Sequence, residues 1–327
     1  MRWGLVGYGW VARDHMAPGI RAAGGHVSAV ADPNPDARDL AARAGIAAFD
    51  SAEAMLAASA CDLVYVATPN RHHLAGVLAA AEARRPVLCE KPIAADLAEA
   101  EAIAAIVDAS GILYGTAFDQ RHHPAHRLLR ARVAAGDLGT PVALRIAYGC
   151  WLPGDWCPRN WRVDEAEAGG GAVIDLALHG LDLAEFLLGE PLVDLTIMLQ
   201  RRVHAYQVED GGMLIARSSS GTLVSLHCGY NVPDALPRRR LELIGSDAAF
   251  EALDTMGQTA GGALLRRCAR RGSCEAVPFD ASVSPFTHQA AAFAEAARGG
   301  AHDFSVGRDL RLMRLFDAAY REARLCL

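Results

Sequence analysis

Arg2-Trp3-Gly4-Leu5-Val6-Gly7-Tyr8-Gly9-Trp10-Val11-Ala12 is the stretch that decides the fold. Residues 2–7 read as a short apolar strand, and a helical pattern follows Ala12 as far as Gly24-Gly25. A G-x-G-x-x-A run is weak alone, but between a strand and a helix it is the fingerprint of a dinucleotide site. Gly7 permits the tight turn, Gly9 lets backbone approach a pyrophosphate, and Ala12 lets the helix lie close on the strand. The helix start would then offer N–H groups and a positive dipole end to the phosphates. Tyr8, Trp10 and Val11 complete this cofactor-binding turn.

Working outward, Val27–Ala31 reads as a second strand ending at Asp32. A carboxylate there binds the adenosine ribose hydroxyls and repels a 2′-phosphate, which favours NAD over NADP. Arg38 keeps NADP open, because a nearby guanidinium can accept that phosphate. Further strands are expected at Asp62–Ala67, Val87–Cys89 and Ile112–Tyr114, with Asp96 and Glu99 forming a capping-box start to an Ala-rich helix. The expected architecture is a doubly wound parallel sheet, whose ligands sit beyond the carboxyl ends of the strands. Thr68-Pro69-Asn70 and Glu90-Lys91-Pro92 fall at two such ends. His72 and His73 follow the first of these, and an exposed helix start is the expectation for at least one of them.

Lys91 is the single lysine among 32 basic side chains. A surface ammonium is readily replaced by guanidinium, whereas a titratable amine on a flexible stem is not. Lys91 is therefore a candidate for chemistry, near the nicotinamide. A second candidate lies on an expected helix from about Ala172 to Leu188, apolar nearly all round and preceded by Gly169-Gly170-Gly171. Among its polar positions Asp175, His179 and Asp182 share one face. Such a stripe is costly on an apolar helix unless paired or functional. An acid–base pair is the favoured reading, with Asp175 orienting His179 and Asp182 structural. A metal site lacks a third strong ligand, so no metal is expected; a purely structural stripe is the other alternative.

With 327 residues, a net charge of −6 and 52% hydrophobic content, the chain has room for two domains. The expected division is 1–119, a dinucleotide-binding domain, and 120–327, a substrate-binding and oligomerisation domain. The latter is an α+β domain with a large, mostly antiparallel open sheet. Its strands are expected at Val193–Leu199, Met213–Ser218, Thr222–Cys228 and Arg240–Ile244, with an amphipathic tail helix over Asp309–Ala323. One sheet face is left free for a partner subunit, so a homodimer or homotetramer is expected. No apolar stretch is long enough to span a bilayer, and the first strand begins at Arg2, so neither membrane nor signal peptide is expected. The eight cysteines, Cys157 and Cys326 among them, show no C-x-x-C pair and suit reduced thiols in the cytoplasm. Arginine clusters at Arg238–Arg240 and Arg266–Arg271 read as solvated turns, with no nucleic-acid motif.

These motifs together resemble the Gfo/Idh/MocA family, the glucose–fructose oxidoreductase and inositol dehydrogenase group. The resemblance rests on the glycine turn, Ala67-Thr68-Pro69-Asn70 with His73, Glu90-Lys91-Pro92, Gln120-Arg121, Trp161-Arg162, and Gly169-Gly170-Gly171 leading to Asp175, His179 and Asp182. It spans nearly the whole chain. It implies an NAD(P)-dependent oxidoreductase acting on a sugar, cyclitol or related polyol, with Lys91, Asp175 and His179 as the catalytic group. It also implies cofactor contacts from Thr68, Pro69, Asn70, His73 and Glu90, and substrate contacts from Gln120, Trp161, Arg162 and His179. Ala177 departs from the family's usual glycine, and His122-His123 from the aromatic that commonly follows the arginine.

On this reading His179 takes the hydroxyl proton as hydride leaves, Asp175 stabilises the imidazolium, and Lys91 stabilises the developing alkoxide. Trp151, Asp155, Trp156 and Asn160 extend the expected sugar-binding segment, and Arg162 or His288 could meet an acidic substituent. Two rivals share the fold: a glycosidase that oxidises, eliminates and re-reduces without releasing NAD, and a non-catalytic dinucleotide sensor.

Overall fold

The computed structural model describes residues 1–58, 61–156 and 160–325. Cys157 and Cys326 lie outside the described residues, and the other six cysteines are free thiols. The chain forms two compact units, Met1–Ala117 with Phe286–Met313, and Phe118–Pro285 with Arg314–Leu327. A single cut after residue 119 therefore leaves out the return of Phe286–Met313 to the first unit. The reason is apolar: Phe286, Ala290 and Phe293 recur at helical spacing and are buried, with Phe293 5.9 Å from the Trp3 ring.

The first unit is a six-stranded, all-parallel sheet in the order β3-β2-β1-β4-β5-β6. Its strands are β1 (Arg2–Val6), β2 (His26–Ala31), β3 (Ala47–Phe49), β4 (Leu63–Val66), β5 (Val87–Cys89) and β6 (Tyr114–Thr116). β4 is buried at all four residues, as a strand covered on both faces must be. The last strand starts two residues later than expected, because the preceding helix runs to Ser110 and ends on a left-handed Gly111. Strand order reverses between β1 and β4, which puts the ends of β1, β4 and β5 at the switch point where such sheets bind ligands. The helix after the glycine turn is not one regular α-helix. Ala12–Met16 forms a π-helical turn before the α-helix Ala17–Ala22, a local widening often found at functional sites.

The second unit carries an eight-stranded sheet, β14-β13-β12-β11-β7-β10-β9-β8. These strands are β7 (Pro141–Gly149), β8 (Leu192–Gln200), β9 (Gly211–Ser218), β10 (Leu223–Gly229), β11 (Arg239–Gly245), β12 (Ala248–Leu253), β13 (Ala263–Cys268) and β14 (Cys274–Ala276). All neighbours are antiparallel except β7 and β10. The helix Ala172–Leu188 packs on this sheet, so closely that a Cβ at Gly180 would lie 2.8 Å from Leu226. Its first turn is capped by the buried Glu209. Oε1 accepts the N–H groups of Gly171 (2.9 Å) and Val173 (3.0 Å), and Oε2 accepts the Tyr320 hydroxyl (2.9 Å). Gly189, left-handed at φ 76°, closes the helix. On the sheet's far face Met198, Met213, Ile215 and Leu223 are exposed. Among the described residues no helix is long and apolar enough to cross a membrane.

Candidate functional site

At the crest of the first sheet, Gly7 has φ 88°, and a Cβ there would lie 2.7 Å from the Ala67 carbonyl oxygen. Only glycine fits that position. Gly9 is the opposite case: a Cβ there would meet nothing within 4 Å, so the backbone faces open space. This is the cradle a pyrophosphate needs. Ala12 is fully buried, and the exposed Trp10 sets its ring against the edge of His15, 4.7 Å away. Asp32, at the end of β2, accepts the Tyr8 N–H at Oδ2 and the Asn34 N–H at Oδ1, both at 2.8 Å. One carboxylate thus ties the glycine turn to the second strand and keeps lone pairs for a further donor. Arg38 spends Nη1 on the carbonyls of Asp32 and Pro33, at 2.8 Å each. The residues present therefore fit a dinucleotide.

At the ends of β4 and β5, Thr68, Pro69, Glu90 and Lys91 are half-buried and Asn70 is buried. The Tyr65 hydroxyl donates to Glu90 Oε1. His73, expected to touch cofactor, is instead completely buried beneath these turns. Its Nδ1 lies 2.9 Å from the Pro92 carbonyl and its Nε2 3.2 Å from that of Thr68. Burial depresses its pKa to about 4, so it is a neutral clasp joining the two strand ends. His72, its neighbour, is exposed.

In the second unit each polar group of the stripe on the 172–188 helix meets a residue from another element. Asp182 is 1% exposed and takes both Arg121 Nε and Nη2, at 2.7–2.9 Å, in a buried bidentate ion pair. Asp175 Oδ2 accepts the Tyr230 hydroxyl at 2.6 Å. His179 Nδ1 lies 3.3 Å from Asp119 Oδ1. Asp175, expected to orient His179, also accepts the Tyr230 hydroxyl, and Asp119 approaches the imidazole from another element. Sequence spacing shows which side chains share a helix face, but not what another element brings against it. The Tyr148 ring, 5.7 Å away, meets the imidazole edge-on, and the Arg239 guanidinium lies over Tyr148 at 5.9 Å. Burial raises the pKa of both Tyr148 and Tyr230, which leaves them neutral hydroxyls. Asp119, Tyr148 and Tyr230 were not singled out from sequence.

Gln120, expected to contact substrate, is 1% exposed and donates to Asp119 Oδ2 at 2.9 Å, so it supports the site from below. His122, His123 and His126 are buried beside it, and His126 bridges the Gln120 carbonyl and Thr255 Oγ1. Trp161 and Arg162 stand in a short 3-10 turn. The Arg162 guanidinium lies 4.6 Å from the Trp161 ring centre and 5.6 Å from that of Trp156, a cation held over indole rings. Trp151 packs separately, on His204. His288 lies in the first unit. Among the described residues no group of three or more His, Cys, Asp or Glu side chains is arranged to hold a metal ion.

Comparison with known proteins bears on both units. Residues 1–118 match the GFO/IDH/MocA family model described as an oxidoreductase family with an NAD-binding Rossmann fold. Residues 126–251 match the GFO/IDH/MocA C-terminal domain. A 1,5-anhydro-D-fructose reductase of Ensifer adhaerens is 30% identical, over 94% of this chain and 91% of that protein. An inositol 2-dehydrogenase of Leifsonia xyli subsp. xyli is 32% identical, over 62% of this chain and 58% of that protein. The crystal structure of an aldose-aldose oxidoreductase from Caulobacter crescentus, complexed with glycerol, superposes with a TM-score of 0.87 at 22% identity, covering 100% of this chain and 98% of that one. At that identity the likeness speaks to the fold alone.

Proposed function

This chain belongs to the Gfo/Idh/MocA oxidoreductase family, and we propose that it moves a hydride between NAD and a secondary alcohol or ketone of a sugar, cyclitol or related polyol. The observation that carries the reading is His179, an imidazole set among carboxylates and neutral hydroxyls on a largely apolar helix. An imidazole titrates near working pH, so it suits the proton that accompanies hydride transfer. The names borne by the relatives, a reductase of an anhydro keto sugar and a cyclitol dehydrogenase, favour this substrate class. NAD is preferred to NADP because Asp32 presents a carboxylate at the ribose end and Arg38 is committed to backbone carbonyls.

When bound, the nicotinamide supplies the hydride acceptor or donor. The chain does the rest. In oxidation His179 accepts the carbinol proton, and Asp175, held by the Tyr230 hydroxyl, adds negative charge to the same helix face. Lys91 takes the role of a cationic donor that stabilises alkoxide character in the substrate. In reduction the roles reverse. Trp161 and Arg162 are the proposed substrate contacts, an indole face for sugar C–H groups and a stacked cation for oxygens. We also expect pairing with a second copy through the exposed apolar row on the far sheet face, as a homodimer or homotetramer. The free thiols suit a reducing, cytoplasmic setting.

The test offers NAD and NADP separately with cyclitols, aldoses and anhydro sugars, and reduced cofactor with the matching ketones. Lys91→Met serves as the control. Turnover with NAD and one polyol class, lost in the variant, supports the reading. Cofactor binding without turnover in either direction, or glycoside cleavage on retained NAD, would replace it.

A further inference from the structure

Arg238, Arg239 and Arg240 lead into β11, and strand alternation sends the last two to opposite faces of the second sheet. Register puts Arg240 on the face of Met213, away from the 172–188 helix, and Arg239 opposite Tyr148 on the other. Both outer arginines of the run have a carboxylate. Arg238 donates to Asp234, and Arg240 pairs with Glu251 at 2.6 Å. Arg239 is the exception. It is half-buried, its Nε is buried without an acceptor, and among the described residues no carboxylate pairs with its guanidinium. That guanidinium lies 5.9 Å from the centre of the Tyr148 ring, which meets the His179 imidazole edge-on at 5.7 Å. A Cβ at Gly257 would collide with Arg239 Nη1, so glycine there leaves the cation its room.

We propose that Arg239 binds the carboxylate of an acidic sugar, which narrows the polyol class to sugar acids of the uronate or aldonate kind and their keto forms. The proposal rests on reading His179 as the acid–base group of a sugar oxidoreductase, and it names the substrate of that same site.

A half-buried cation loses hydration, and here the protein offsets that loss with an aromatic face rather than an anion. A guanidinium stays charged at working pH, and its planar fork matches the two oxygens of a carboxylate. A phosphate monoester carries nearly two charges and three acceptor oxygens, more than one fork satisfies. Distance agrees with the assignment. The two ring contacts keep the guanidinium within about 12 Å of the imidazole centre. With about 3 Å at each end given to hydrogen bonds, a single sugar unit fills what is left.

The test reads binding and needs no turnover. The full chain, loaded with NADH, is titrated calorimetrically with D-glucuronate, D-galacturonate and D-gluconate. D-glucose is the neutral reference and glucose 6-phosphate the phosphate arm. At least one sugar acid should bind about tenfold or more tighter than glucose. Arg239→Met should abolish that preference while NADH affinity stays within about twofold, and Arg239→Lys should keep part of it. Arg240→Met, which removes a cation from the far face, should leave the preference intact. No preference in wild type, a preference that survives Arg239→Met, or an equal loss in Arg240→Met would overturn the proposal. Tighter binding of glucose 6-phosphate than of every sugar acid would also overturn it. If Arg239→Met does not fold, an undiminished preference in Arg239→Gln overturns it instead. A preference for sugar acids without hydride transfer would count against the reaction and leave the Arg239 assignment standing. Hydride transfer on neutral sugars without that preference would do the reverse.

Discussion

At the crest of the first sheet the groups that matter are mostly backbone: the bare chain at Gly9, the turn at Gly7, the strand ends tied together by Asp32 and His73. In the second unit they are side chains contributed by separate elements. Asp175 meets Tyr230 across 55 residues of sequence, and Arg121 meets Asp182 across 61. A backbone site is broken by adding atoms, a side-chain site by removing them. The first kind should fail in binding and the second in turnover or in folding.

The sharpest form of this contrast is His179→Ala. Turnover should fall by about 10²–10⁴, roughly 3–5 kcal/mol of barrier, while NADH affinity measured by fluorescence titration stays within about twofold. Loss of cofactor binding instead would erase the distinction between the two units. Next in size is Arg121→Met, which leaves the Asp182 carboxylate buried beside an apolar chain. It should cost about 3–5 kcal/mol in urea unfolding, and Arg121→Met with Asp182→Leu should recover much of that.

A pH effect follows, and its sign is fixed by burial. His73 and His126 have pKa values depressed to about 4 and about 3, from an ordinary value near 6.5. Below pH 6.5 the unfolded chain binds these protons while the folded chain refuses them, so stability is full above that pH and falls as pH drops toward 4. Each group should remove roughly 2 kcal/mol by pH 5, and His73→Gln should flatten its share of the dependence. Urea midpoints at pH 7 and pH 5 measure this; equal midpoints would contradict it. The smallest effect is the most specific. Gly9→Ala should leave stability within about 0.5 kcal/mol, since its Cβ meets nothing, yet weaken NADH binding about tenfold. Gly7→Ala should destabilise by about 1–3 kcal/mol instead, because of its positive φ.

The same contrast explains what could be read in advance. The glycine turn, Asp32 and the parallel strand order follow from local pattern, because backbone sites are built from neighbours in sequence. The 172–188 helix was legible from its apolar run, its closing Gly189 and the stripe of Asp175, His179 and Asp182. Which partner each polar position takes was not. Asp119 belongs to a run of polar residues after an apolar strand, Asp119 to His123, and nothing in that local pattern marks all five as buried. Tyr230 follows the end of β10, where nothing local marks it. Gln120 and His73 were placed at ligands because motifs name residues near a site without saying which of them support it from behind.

The central claim is hydride transfer, and isotope transfer tests it most directly. NADH carrying deuterium at the transferring C4 position would be incubated with the full chain and the ketone its panel selects. Mass spectrometry and NMR of the product would follow. The account predicts one deuterium on the new carbinol carbon in wild type and a rate lower by about 10²–10⁴ in His179→Ala. Product formed without deuterium at that carbon, or an undiminished rate in His179→Ala, would contradict it.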